Sequence, residues 1–175
     1  MINIEIPFNK EIYIEQNKLN FDTAWAKHLK NNKRNRIISI VLISLGILII
    51  IGKNNIGGLF CAMGLFSLYM VYRMNVTYKE NKKIYFNATY NEVKNKEDAC
   101  DCPIWEFHDD YFLFKDYQQD LKLKWMGLPR YTRIDETIFL DSKIGVRFIL
   151  SEKEVGKEKF EEIIAFLDEK IKTVS

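Results

Sequence analysis

Cysteine is scarce in this chain, and charge is absent from its most apolar stretches. Only Cys61, Cys100 and Cys102 occur in 175 residues. The number is odd and two of the three stand one residue apart, so no disulfide framework is expected and a reducing compartment fits. The opening "MINIEIPFNKEIYIEQ" lacks the basic start of a cleavable signal peptide and alternates isoleucine with polar residues instead. Also missing are a Gly-rich phosphate loop, an HExxH and a GxSxG. His28 sits in a basic run with no serine, cysteine or carboxylate spaced to complete a triad, which makes it an interfacial residue rather than a base. "CDCPIWEFHDD" sets Cys100, Cys102 and His108 close together, but C-x-C-x5-H is not a zinc spacing. A polar loop with free thiols, followed by a turn, is the reading carried forward. No catalytic residue, cofactor, metal or nucleic-acid partner is expected.

What is present is a pair of apolar runs. Ile37–Gly52 holds eight Ile, three Leu and one Val, and Ile56–Tyr72 follows after Lys53-Asn54-Asn55. A helix apolar all round needs a large protein core or lipid on every side, and the remaining chain is too small to encase two. Twelve aliphatic residues insert into a bilayer with a gain on the order of 5 kcal/mol. Sixteen residues rise about 24 Å against a hydrocarbon core of about 30 Å. Snorkelling of Arg36 and Arg73 covers that shortfall. No Asp, Glu, Lys or Arg lies inside either run, so an anchor is expected rather than an ion path.

"KHLKNNKRNR" places five basic residues, Lys33, Arg34 and Arg36 among them, before the first run. Arg73, Lys79, Lys82 and Lys83 follow the second, while the tip carries Lys53 alone. The positive-inside rule then puts both termini in the cytoplasm; binding of anionic lipid is the other meaning of such a cluster. Gly57, Cys61, Gly64 and Ser67 form one small-residue stripe on the second run, expected to pack against Ser39 and Gly46 of the first. On this topology the glycosylation patterns at Asn75 and Asn87 are cytoplasmic and are set aside.

Net charge is +2, but residues 1–74 carry +5 and residues 75–175 carry −3. The mean hydropathy of −0.20 averages an apolar insert with a charged body. Three parts are expected: an arm over 1–35, a hairpin over 36–74 and a β domain over 75–175. "KKIYFNATYNEV" alternates like a strand, as do "PIWEF", "YFLFKDY", "LKLKW", "RYTRI", "TIFL" and "GVRFIL". Such a run of strands indicates an antiparallel sandwich or partly open barrel. Phe160, Ile163, Ile164, Leu167 and Ile171 then mark a closing amphipathic helix from Lys157 to Lys172. In the arm, two short strands are expected around Pro7, the second carrying Ile12 and Ile14, and docking onto the β sheet. A helix with Phe21, Trp25 and Leu29 is expected to begin near Asn20 or Asp22.

This order of parts resembles the YcxB-like family of small bacterial membrane proteins, most strongly over 78–172, where "IWEF" and "LKLKW" precede "GVRFIL" and the last helix. The resemblance implies an α+β membrane protein: a two-helix transmembrane hairpin plus a pleckstrin-homology-like (PH-like) antiparallel roll of seven strands capped by a C-terminal helix. Where the family has a proline and a basic residue before that helix, this chain has "LSEKEVGKEKF". Some members stand beside secreted toxins as immunity proteins. Two roles follow as expectations: a non-enzymatic, membrane-anchored protein-binding module, regulatory or scaffolding, or an immunity protein that neutralises a cognate toxin. Phosphoinositide binding is disfavoured, because the β domain is net acidic and its lysines alternate with Glu and Asp. The expected partners are membrane lipid and a protein, and Tyr117, Met126, Arg130 and Tyr131 are the expected contact residues, being of types enriched at interfaces.

Overall fold

The computed structural model describes residues 1–171. It is an α+β chain of two long helices, two antiparallel sheets and a C-terminal helix. The elements run β1 (Ile2–Glu5), α1 (Lys10–Ile51), α2 (Ile56–Asp98), β2 (Ile104–Phe107), β3 (Tyr111–Lys115), β4 (Asp120–Lys124), β5 (Arg130–Ile134), β6 (Thr137–Asp141), β7 (Arg147–Ser151), α3 (Glu152–Val155) and α4 (Lys157–Lys170). They form two compact units, one of Met1–Lys18 with the chain from Thr89 onward, the other of Leu19–Ala88.

In the first unit, β1–β2–β3–β4 make one sheet and β5–β6–β7 a second. Strand β1 pairs antiparallel with β2, Ile2 opposite Phe107 and Ile4 opposite Trp105, so the chain's first strand docks onto the later sheet as expected. The inward residues alternate, as a sheet with one buried face requires. Trp105, Phe107, Phe112 and Phe114 from one sheet meet Leu140, Phe148 and Leu150 from the other. Helix α4 completes this core with Phe160, Ile163, Ile164 and Leu167. Its expected end at Lys172 lies outside the described residues. Ser151 opens α3 with a capping box: its side chain accepts from Lys153 N–H, while the Glu154 carboxylate accepts from Ser151 N–H at 2.8 Å.

Two expected strands are helix instead. Lys82–Val93 belongs to α2, and Ile12 and Ile14 belong to α1. No Gly or Pro interrupts the chain between Gly64 and Pro103 or between Pro7 and Gly46, so nothing stops either helix. Thr89, Val93 and Lys96 are the buried residues of the α2 segment, spaced four and three apart, while Ile84 of the apparent alternation is 68% exposed. At the other end, α1 begins ten residues before the expected start. Asn9 caps it, its side-chain oxygen accepting from Glu11 N–H at 3.0 Å and Ile12 N–H at 3.1 Å.

The second unit is a helical hairpin. Phe21 is buried in an aromatic cluster, its ring within 6 Å of Trp25, Tyr78, Tyr85 and Phe86. Further along, small residues let the two backbones touch. A Cβ added to Gly57 would stand 2.5 Å from the Gly46 carbonyl oxygen, and one added to Gly64 would stand 2.9 Å from the Ser39 carbonyl oxygen. The Ser39 and Ser67 hydroxyls pair at 2.7 Å, and the Cys61 thiol faces the Ile43 carbonyl at 3.8 Å. Gly57, Cys61, Gly64 and Ser67 thus lie together along the seam. Bulk on this seam should separate the helices, whereas Gly58 faces open space. Gly57→Ala is expected to lower the stability of detergent-solubilised protein by about 1–3 kcal/mol, and Gly58→Ala to leave it unchanged, read from paired thermal melts.

Candidate functional site

Within the strand-bearing unit, the end of α2 is held by a buried cation. The Lys96 ammonium donates to Asp101 at 2.7 Å and lies 3.6 Å from Asp116, with all three side chains nearly buried. The Tyr13 and Tyr117 rings flank it at 5.8 and 5.0 Å. Tyr117, an expected contact residue, is engaged in this clasp. Its N–H donates to Asp101 at 3.0 Å and its hydroxyl donates to Glu92 at 2.9 Å. Burial, then the Glu92 carboxylate, push the phenol up from its ordinary value.

Tyr131 is a correction to the expected contact surface. It is 4% exposed, the inward residue of β5, and its hydroxyl donates to Asp168. Strand alternation turns it into the core and its neighbour Arg130 out of it. Arg130 Nε and Arg147 Nε share one carboxylate across the sheet, reaching the two oxygens of Asp141 at 2.7 and 2.6 Å. Partial burial raises the Asp141 carboxyl, but the two guanidiniums outweigh it and hold the group below its ordinary range.

Met126 stands out. It is 80% exposed on the 3-10 turn Trp125–Gly127. Its neighbours pin the turn from within: Trp125 Nε1 donates to His108 O at 3.0 Å, and Leu128 is buried. The β6–β7 turn lies alongside, where Lys143 N–H donates to Gly127 O at 2.8 Å and Ile144 is 61% exposed. Exposed Lys124, Arg130, Lys143 and Arg147 belong to the same strand ends and turns. Sequence reasoning missed Ile144. Its signal was an aliphatic residue in the turn "DSKIG", where turn chemistry favours polar residues.

Cys100 and Cys102 are exposed beside the start of β2, and His108 follows its far end, so the strand separates them. His108 Nε2 meets Glu106 at 2.7 Å and its ring stacks on Tyr111 at 4.2 Å. In the hairpin unit, Lys33, Arg34 and Arg36 are exposed on α1 just before its apolar run, and Arg73 is exposed on α2 just after the second. Both helices are long and apolar enough to cross a membrane. Comparisons with protein families, curated proteins and solved structures found no match for the chain.

Lys96→Met should leave Asp101 and Asp116 buried without their cation, at a cost of about 3–5 kcal/mol, measured as a lowered thermal midpoint of the full chain. Asp141 sets a pH dependence. Its folded pKa is lowered, so its contribution is complete above the ordinary carboxylate range and is lost as pH falls through the lowered value. Melting of Asp141→Asn should therefore fall less steeply between neutral and acid pH than that of the parent.

Proposed function

We propose that the protein is a membrane-anchored, non-enzymatic binding module. Its hairpin spans the bacterial inner membrane with both ends in the cytoplasm. Its strands and α4 form a PH-like roll that presents the Met126–Ile144 pair to an acidic partner protein, in a regulatory or scaffolding role. Support for the anchor comes from the outward side chains of the hairpin, since Ile37, Leu48, Ile51, Leu59, Leu65 and Phe66 are all more than half exposed. In water, an apolar face of that extent is unstable; in lipid it is solvated. Support for the roll comes from its make-up, four strands and three strands closed by one helix.

The observation that carries the binding role is the backbone bond between Lys143 and Gly127, which joins the two turns that bear exposed Ile144 and Met126. Unsupported apolar side chains of that size favour burial by about 1.5–3 kcal/mol each. Exposed Lys124 and Lys143 on the same turns select for acidic complement, Arg130 and Arg147 being already paired with Asp141. Confinement to the membrane plane raises the effective concentration of partners held there, so a modest affinity suffices.

A photo-crosslinking residue at Met126 should yield one defined adduct in cells. With that partner purified, Met126→Asp and Ile144→Asp should each weaken binding about tenfold or more while the melting midpoint stays unchanged. Undiminished binding in both variants would remove the patch from the account. Topology is checked with an impermeant thiol reagent: Asn54→Cys should react from outside, and exposed Cys100 and Cys102 only after lysis.

A further inference from the structure

We infer that the hairpin carries a site for one anionic phospholipid of the cytoplasmic leaflet, in a groove between α1 and α2 at the level of the basic flank. The inference rests on the membrane reading of the hairpin. The groove is an open cavity of about 460 Å³ within the helical unit. One wall is polar and comes from α1: His28, Asn31, Asn32 and Asn35, spaced three, one and three residues apart and therefore on a single face. The other wall is apolar and comes from α2, with Phe66, Met70 and Met74 four residues apart.

The polarity of the groove also changes along its length. Ser39 pairs with Ser67, Asn32 with Asn75 and the Trp25 ring with Tyr78, which sets the level of one helix against the other. Phe66 thus lies at the depth of Ser39, inside the apolar run, while Met74 lies near Asn32 and His28 lies further out. A ligand filling the groove meets hydrocarbon at one end and amides and imidazole at the other. That gradient is the gradient of a phospholipid, with an acyl chain along Phe66 and Met70 and its phosphate among Asn31, Asn35 and His28.

Charge selects the headgroup. Residues 27–36 carry five Lys/Arg and no acid. At 100° per residue, Arg34 and Arg36 fall on opposite sides of the His28–Asn35 stripe, and both are exposed. The groove is lined by amides and an imidazole rather than by Lys or Arg, so the flanking guanidiniums supply the attraction for an anionic headgroup at the cytoplasmic side. Asn32 is spoken for, since its amide donates to Asn75 at 2.8 Å and holds the back of the groove.

The test is native mass spectrometry of the full chain in mild detergent with equimolar phosphatidylglycerol and phosphatidylcholine. Phosphatidylglycerol should be retained preferentially, as one molecule per chain, and Arg34→Gln and Arg36→Gln should each reduce that preference about fivefold. Met70→Trp fills the groove and should abolish retention, as should Asn31→Leu at an exposed position. Ile47→Trp, on the outward face, should not. Equal retention of the two lipids, or unchanged retention in Met70→Trp and Asn31→Leu variants that melt like the parent, overturns the site. An alkaline membrane wash separates the two levels of the argument: release of the protein overturns the hairpin reading and the groove together, whereas retention in the pellet without lipid selectivity overturns the groove alone.

Discussion

The antiparallel pairing of β1 with β2 is the constraint on which the other features depend. Residues 2–5 bond to residues 104–107, so both ends of the long helical segment are tied to one sheet. Closing so long a loop has an entropic cost that rises only slowly with length. The contacts at the join offset it: Ile2 and Ile6 are buried in the core, Lys96 is clasped by Asp101 and Asp116, and Gln16 donates to Glu154 at 2.5 Å. Under the proposed topology the same pairing requires both helices to have their outer ends on one side of the membrane, which is where their basic residues lie.

Inside the hairpin, the polar and small residues do the opposite of what they do in a soluble core. Ser39, Gly46, Gly57, Gly64 and Ser67 are turned towards the partner helix, and the large aliphatic residues point away. Close backbone approach and a few hydrogen bonds are the available sources of helix association where the surroundings are themselves apolar. The Asn32–Asn75 pair continues the polar seam outward, at the level of the groove lined by Asn31 and Asn35 on one helix and Met70 and Met74 on the other.

The strands from Ile104 onward were legible because aromatic and aliphatic residues alternate with polar ones over short segments between turn residues. The small-residue stripe was legible because its steps of four and three match a helical face. The two misreadings share a cause. Ile12–Ile14 and Ile84–Ala88 alternate over only three and five residues, too short a window to separate period two from period 3.6. A cap at Asn9 and a long stretch without Gly or Pro decided both in favour of helix. Tyr131 was misjudged for a different reason: composition points to residues that suit an interface, but it does not say which face of a strand they occupy.

By itself the sequence determined the apolar hairpin, its seam, the strand succession and the closing helix, because each is a local pattern whose period or composition has one inexpensive solution. Only tertiary structure decided what depends on pairing across distance. It bonded the turn that bears Met126 to the turn that bears Ile144, drew Tyr117 into the Lys96 clasp, and turned Tyr131 towards Asp168. It also set Asn31 opposite Met74 to form a groove that neither helix has alone. A side chain's neighbours four positions along a helix can be read from the chain, whereas its neighbours across a sheet or a helix pair are set by register, and register is fixed by the packing of the whole core.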